Sequence, residues 1–484
     1  MIIKKYFHTL KYLKLKQLIF LVARKFRLKK ILLNSKAFNF KPMKYKILSI
    51  SITRSSCNKM NLKHSFNDVI QGFVEQKLYL YNIFYMNDYS DKSFLTFHKE
   101  FYKTKSIFLE PYPTSIRIVN LLYYSDLTDR DVISYLKKDV KNLSQNLEYE
   151  LDGNHLLENC LALSLYELII GNEGKFTELF TRLLKEQFID CEWHFEQSPM
   201  YQAILLERMQ CYLAVLNMFK VIDNSIIDLV KVILVKGVRY LELFHVNSTM
   251  LHFNDSTGGN SLSIGDLKNN NNILSLSSPE AANASELIKN GFARIESPRK
   301  VLVVDTSKIL ANHIPGHIHS ATGTFWLLKD GEPFIVNNAI STYQENNIRA
   351  LQRGSSFHNC IVPTIEFNEV WGSFRVARRA DSVIEQHENQ ISLYSKLLTG
   401  QKYSRTFSLE KCLTITDKLD DCDDKLISYL YFHESVSLDL ITKHVHSSNI
   451  YCIDRVDIPI EYNKTVSSYF IYFKFSKLNS VRIQ

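Results

Sequence analysis

Between residues 66 and 250 the apolar residues recur every three or four positions, and after residue 290 that period gives way to short β-rich runs. The two patterns need different layers, so the chain reads as multidomain α plus β, a helical half followed by an all-β half. The helical period is clearest over 132–147, 156–170, 176–188, 203–219 and 226–244, and helices of that length with short polar joints suggest antiparallel hairpins. The β-rich runs fall at 301–304, 324–328, 333–336, 426–432, 450–453 and 468–475, broken by turns such as Lys329-Asp330-Gly331-Glu332, and read as an antiparallel β-sandwich. Between the halves lies loop chemistry, with Asp255-Ser256-Thr257-Gly258-Gly259-Asn260 and a run of asparagines ending at Asn272. Function can still sit in such a loop. The expected division is a basic N-terminal arm at 1–65, a helical catalytic domain at 66–250, a linker loop at 251–289 and a β-sheet domain at 290–484.

With 484 residues, 45% of them hydrophobic and 23% charged, the chain is long enough for two or three packed domains and is not globally disordered. Its net charge of +9 is unevenly placed: seventeen Lys and Arg precede the first acidic residue, Asp68, which leaves the remainder at −8. The arm interleaves those charges with Leu10, Leu13, Leu18, Ile19 and Phe20, as one or two basic amphipathic helices do. Such a segment either makes peripheral contact with an anionic membrane surface or packs on the body with a solvated basic face. The apolar run 18–23 is too short for a signal-peptide core, and no run approaches a membrane span, so a cytoplasmic or membrane-surface location is favoured over a periplasmic one. Eight cysteines without CxxC spacing read as reduced core thiols.

Three stretches could carry chemistry. Residues 153–159, Gly-Asn-His-Leu-Leu-Glu-Asn, place His155 and Glu158 at i and i+3 on one helical face, beside the amide of Asn154. A carboxylate against an imidazole fixes its tautomer and makes it a better base, although a polar helix start can also carry a histidine by accident. Residues 196–201, Glu-Gln-Ser-Pro-Met-Tyr, put Tyr201 at a helix opening, where unpaired N–H groups can favour a phenolate. In 315–319, Pro-Gly-His-Ile-His, a strand would turn His317 and His319 to one face, where two imidazoles can share a metal or simply sit on a solvated surface. His358 and Asn337 could complete that site if their strands pair.

These stretches resemble, in order, the heparinase II/III family of polysaccharide lyases, together with Glu110-Pro111-Tyr112-Pro113 before them and Ser341-Thr342-Tyr343, Arg349, Arg353, Phe357-His358-Asn359 and Trp371-Gly372-Ser373-Phe374-Arg375 after them. The resemblance runs from about Tyr6 to Ala380. It implies an N-terminal (α/α) toroid followed by a C-terminal antiparallel β-sandwich, with an anionic polysaccharide bound between them and no nucleic acid. It also implies cleavage by β-elimination. In that frame Asn154 neutralises the uronate carboxylate, His155 is helper or base, Glu158 orients His155, Tyr201 is the acid and His317 assists. Tyr343, Arg349 and Arg353 would bind substrate, and His319, Asn337 and His358 would hold a structural zinc. The chain departs from the pattern at Ala321 and Asn337, where relatives carry aspartate, and at Gln202, where many carry histidine. An amide is a poorer zinc ligand than a carboxylate. Two other readings remain: a non-catalytic descendant that acts in surface-polysaccharide assembly, and a glycoside hydrolase using Glu158 and Glu196.

Overall fold

The computed structural model describes residues 2–26, 46, 48–54, 99, 109–172, 174–221, 224–277, 281–420, 426–475 and 477–484. Most of the expected arm beyond Phe26, most of the expected helical pattern between 66 and 108, and Cys57 and Cys422 lie outside them. The six described cysteines are free thiols.

Two helices of the arm come first, α1 (Ile2–Leu10) and α2 (Leu15–Lys25). The helical half continues with α3 (Pro111–Tyr124), α4 (Arg130–Ser144), α5 (Gly153–Ile169), α6 (Lys175–Gln187), α7 (Pro199–Met218) and α8 (Ser225–Leu241). Each predicted helical run from residue 132 onward is recovered within a few residues. The starts have ordinary chemical causes: Asp129 accepts from the N–H groups of Asp131 and Val132, and Asn224 accepts from that of Ile226. Helix α3 packs on α4 and α5, α5 on α6 and α7, and α7 on α8.

Helix α5 is central. All but one of its residues are buried, so its polar members Glu158, Asn159, Ser164 and Glu167 survive only because each finds a partner inside.

Residues 251–289, expected to form a linker loop, contain instead α9 (Ile264–Ile273) and a fully buried turn around Asp255. Helix α9 packs on α7 and α8. The asparagine run reads as loop by propensity. Asn270 and Asn271 are nevertheless held by Gln210, and Asn270 also by the backbone of Thr53.

The second half is antiparallel throughout its named ladders. Strands β1 (Phe292–Ser297), β2 (Lys300–Asp305), β3 (Thr324–Lys329) and β4 (Glu332–Ile335) form one sheet in sequence order. After α10 (Asn347–Arg353) come β5 (Ile361–Val362), then the ribbon β6 (Asn368–Trp371) and β7 (Arg375–Arg379). Strands β8 (Asp381–His387), β9 (Gln390–Lys396), β10 (Lys402–Leu409) and β11 (Leu413–Leu419) belong to a six-stranded sheet. Beyond them lie β12 (Leu426–Tyr431), α11 (Leu438–His444), β13 (Val445–His446), β14 (Ile450–Glu461), β15 (Lys464–Phe475) and β16 (Leu478–Ile483). The six-stranded order is β8-β9-β10-β11-β16-β13, and another sheet runs β14-β15-β12-β5.

Alternation along β1–β3 explains the layering. Ala293, Ile295, Leu302, Val304, Phe325 and Leu327 enter a cluster with Ile391, Phe407 and Ile415 of the six-stranded sheet. Phe292, Val303, Trp326 and Leu328 enter the large cluster of the helical half. One sheet therefore bridges the two halves, and the loops at its edge are held against α5 and α7.

Candidate active site

Helix α5 begins under strain. Asp152 at φ 59° caps it by accepting from the N–H of Gly153, which sits at φ 50°. A Cβ on Gly153 would lie 2.0 Å from Glu196 Oε1, so glycine is required for the carboxylate to approach. Glu196 Oε1 accepts the N–H of Asn154 at 3.0 Å, which places a carboxylate on the helix N-terminus. Gly153→Ala is expected to separate this contact and lower the melting temperature. A variant as stable as the wild type would contradict the close approach.

The imidazole of His155 is 33% exposed and therefore reachable from outside. Its carboxylate partner is not the expected Glu158. Nδ1 lies 3.3 Å from Glu148 Oε1, seven residues earlier in the turn before α5. Burial alone would lower the pKa of His155, but Glu148, with Glu196 and Glu158 nearby, raises it. Glu158 points elsewhere: it accepts from the hydroxyl of Tyr112 at 2.9 Å and from Arg208 Nε at 3.3 Å. The Tyr112 ring lies 4.5 Å from that of His155. Sequence spacing placed the two residues on one helix but could not see the buried guanidinium that claims the carboxylate.

Helix α7 starts where Ser198 accepts from the N–H of Tyr201 and Pro199 supplies a preset φ. The hydroxyl of Ser198 also donates to the carbonyl of Asp255 at 2.7 Å, which ties α7 to the buried turn. The helix opening is thus capped, and Tyr201 is not the expected phenolate. Burial, with Tyr462 and Asp255 adding, holds its pKa well above the ordinary 10.0, so the phenol keeps its proton. Its hydroxyl lies 2.9 Å from that of Tyr343, and its ring lies 4.1 Å from the ring of His317.

His317 and His319 occupy a turn and the extended loop after it rather than a strand, yet their i, i+2 spacing still turns both to one carboxylate. His317 Nδ1 is 2.9 Å from Asp255 Oδ2, and His319 Nε2 is 2.8 Å from Asp255 Oδ1. The other nitrogen of His317 lies 3.4 Å from Glu196 Oε2. Arg349 completes the arrangement, donating to Asp255 at 2.5 and 2.7 Å. Burial would raise the Asp255 pKa, but Arg349 and the two histidines outweigh it and hold it well below 3.8.

Two expected substrate-binding residues are therefore engaged inside the protein. Arg349 is 1% exposed and also donates to the carbonyl of Ser373. Arg353, also 1% exposed, donates to the carbonyls of Gly316, Ile318, Gly372 and Arg375, and so shapes the loop that carries His317. A buried guanidinium must spend its donors internally, and both do. Tyr343, the third, does lie beside Tyr201.

The expected zinc residues are neighbours, but they form a hydrogen-bonded chain rather than a converging donor set. His319 Nδ1 faces His358 Nε2 at 3.2 Å, whereas Asn337 Oδ1 lies 2.7 Å from the opposite nitrogen of His358. Thr324 also donates to that amide oxygen, and Asp255 occupies the far nitrogen of His319. One ion cannot meet all three donors in this arrangement, and the residues do not fit the zinc site that the resemblance implies. Among the described residues a different group, Asp152, Glu186 and His313, has ligand atoms within 4.8 Å of one another. The ammonium of Lys14 pairs with both of its carboxylates, 3.0 Å from Asp152. Chelation of the purified protein is expected to leave its melting temperature unchanged, and a clear drop would show that a bound ion supports the fold.

Residues 280–450 match the family model described as Heparinase II/III-like, C-terminal. The match lies almost wholly within the sheet half and covers about a third of the chain. No curated protein matches the chain in sequence. Among solved structures, it is similar to a crystal structure of heparinase III, with a TM-score of 0.60 and 14% identity over 90% of this chain and 78% of that one. A second heparinase III, the BT4657 gene product, matches with a TM-score of 0.54 and 12% identity over 87% and 71%. The heparan sulfate lyase HepC from Pedobacter heparinus matches with a TM-score of 0.50 and 13% identity over 85% and 75%. At such identities the likeness establishes a shared mixed helix-and-sheet fold that extends beyond the matched residues into the helical half.

Sequence reasoning missed Glu148 and Asp255, and it saw Glu196 only as a hydrolase candidate. The signal for Asp255 was its place in a polar turn of small residues ahead of a His-x-His pair in need of a counter-charge.

Proposed function

We propose that this protein is a polysaccharide lyase that cleaves a uronic-acid-containing chain by β-elimination, with the helical half at 66–250 as an (α/α) toroid and residues 290–484 as a β-sandwich. The observation that carries the reading is Tyr201: a protonated phenol laid on His317, whose far nitrogen lies 3.4 Å from Glu196, the carboxyl group that accepts the N–H of Asn154 at the start of the helix bearing His155. Elimination needs the substrate carboxylate neutralised, a base for the C5 proton and an acid for the departing O4. The amide of Asn154 serves the carboxylate, with Glu196 holding its backbone N–H in place. Neutral His155 takes the C5 proton. The C5–H electrons form the C4=C5 bond, the C4–O4 bond breaks, and O4 receives the proton of Tyr201. His317, oriented by Asp255, faces the acid and assists it. Glu158 acts through Tyr112, which it holds against His155.

The pH dependence follows from the two shifts. His155 is a base only when neutral, and its pKa is raised above 6.5, so the rate falls on the acid side of a midpoint above that value. Tyr201 is an acid only when protonated, and its raised pKa carries the alkaline limb beyond pH 10. An acid limb centred below 6.5 would remove His155 as the base.

The product mass separates the readings. Elimination leaves a fragment one water lighter than hydrolysis does. The hydrolase reading is the weaker, because Glu158 is fixed by Arg208 and Tyr112. The non-catalytic reading draws support from the zinc donors that fail to converge, and it requires polysaccharide binding without product.

A further inference from the structure

The helices of the basic arm are packed with their apolar stripes outward. Helix α2 buries Gln17, Phe20 and Ala23 against the body, with Gln17 reaching the carbonyl of His313 and Phe20 resting on Tyr149. Its opposite side carries Leu15 at 74% exposure, Ile19 at 45%, Val22 at 54% and Phe26 at 63%, one stripe at i, i+4, i+7 and i+11. Helix α1 has no buried residue, and its Ile3 and Phe7 are 80% and 66% exposed. A helix that merely decorated the body would turn these residues inward, since the hydrophobic effect favours burying them. Exposed Lys4 and Lys25 lie on the same two helices and exposed Lys11 on the turn between them, and no acidic residue precedes Asp68.

We propose that this face docks on an anionic lipid bilayer, its apolar stripe entering the headgroup boundary and its lysines meeting lipid phosphates. Charge complementarity selects that occupant, because a second copy would bring one basic face against another. The contact is peripheral: no helix among the described residues is long and apolar enough to cross a membrane.

The inner side of the arm fixes what docking would present. Trp371 donates to Thr9 at 3.1 Å, Arg379 lies 3.6 Å over the Tyr12 ring, and Lys14 pairs with Asp152, the cap of α5. The arm thus grips the sheet half and the start of the helix that bears Asn154 and His155. Docking would hold the cleft at a set height above the surface, where a surface-bound polymer could enter it. The proposal does not depend on the lyase reading.

The test is co-sedimentation of the full chain with vesicles of pure phosphatidylcholine and of equimolar phosphatidylcholine and phosphatidylglycerol. Binding to the anionic vesicles should be about tenfold or more tighter than to the neutral ones, and should weaken with salt. It should fall by a similar factor in Ile3→Glu/Phe7→Glu, in Ile19→Glu/Val22→Glu, and in Lys4→Ala/Lys11→Ala/Lys25→Ala, the last serving if a glutamate variant fails to fold. No binding to anionic vesicles, or undiminished binding by the folded variants, would overturn the proposal. So would a dimer of the wild type, seen by sedimentation equilibrium, that Ile19→Glu/Val22→Glu dissociates.

Discussion

Tyr201→Phe is expected to lower elimination by about 10²- to 10⁴-fold, the usual contribution of a positioned acid or base. The variant removes one oxygen. The ring remains on His317, and the cost to stability is limited to the hydrogen bond with Tyr343, about 1 kcal/mol. Rate and stability therefore separate: turnover collapses while the melting temperature stays near that of the wild type. Tyr343→Phe removes the same hydrogen bond but leaves the acid in place, so its rate should fall far less. Equal losses in the two variants would show that the pair matters as a unit and that Tyr201 is not itself the proton donor.

Asp255→Asn is expected to act on the fold first, by about 3–5 kcal/mol, the cost of breaking a buried ion pair from one side. The shape is nearly kept, but Arg349 becomes a buried cation without its counter-charge, and His317 and His319 lose the carboxylate that both address. The sign with pH is fixed by the depressed pKa. The stabilisation by Asp255 is complete above its unfolded value of about 3.8 and is lost as pH falls through the lower folded value. Denaturant unfolding at neutral pH reads the effect, and a change under about 0.5 kcal/mol, as for an ordinary surface substitution, would contradict the central place given to this carboxylate.

The helices from residue 132 onward were legible because nearly every turn of α4, α6 and α8 buries residues three and four apart. The six-stranded sheet was not. Along β10 the inward positions are Tyr403, Arg405, Phe407 and Leu409, and the arginine breaks the apolar alternation. It is buried because Asp417 of β11 receives it at 2.6 and 3.0 Å and the carbonyls of Gly323 and Asn359 take its other donors, a pairing that no local pattern announces. The site divides the same way. Asn154, His155, Tyr201, His317 and Tyr343 could be named from motifs, and the fold brings Tyr201, His317 and Tyr343 together. Their partners Glu148, Glu196 and Asp255 come from turns, and only Asp255, in a polar turn of small residues, carried any mark in the sequence. Arg349 and Arg353 were substrate ligands only by the resemblance; here each is consumed by internal acceptors.

The most direct measurement of elimination is short-ultraviolet absorbance while the purified protein is incubated with a panel of uronic-acid polysaccharides. A steady rise from the new C4=C5 bond is expected on at least one substrate, absent with Tyr201→Phe. New reducing ends without that absorbance, or binding of a polysaccharide with no absorbance change across the panel, would contradict elimination.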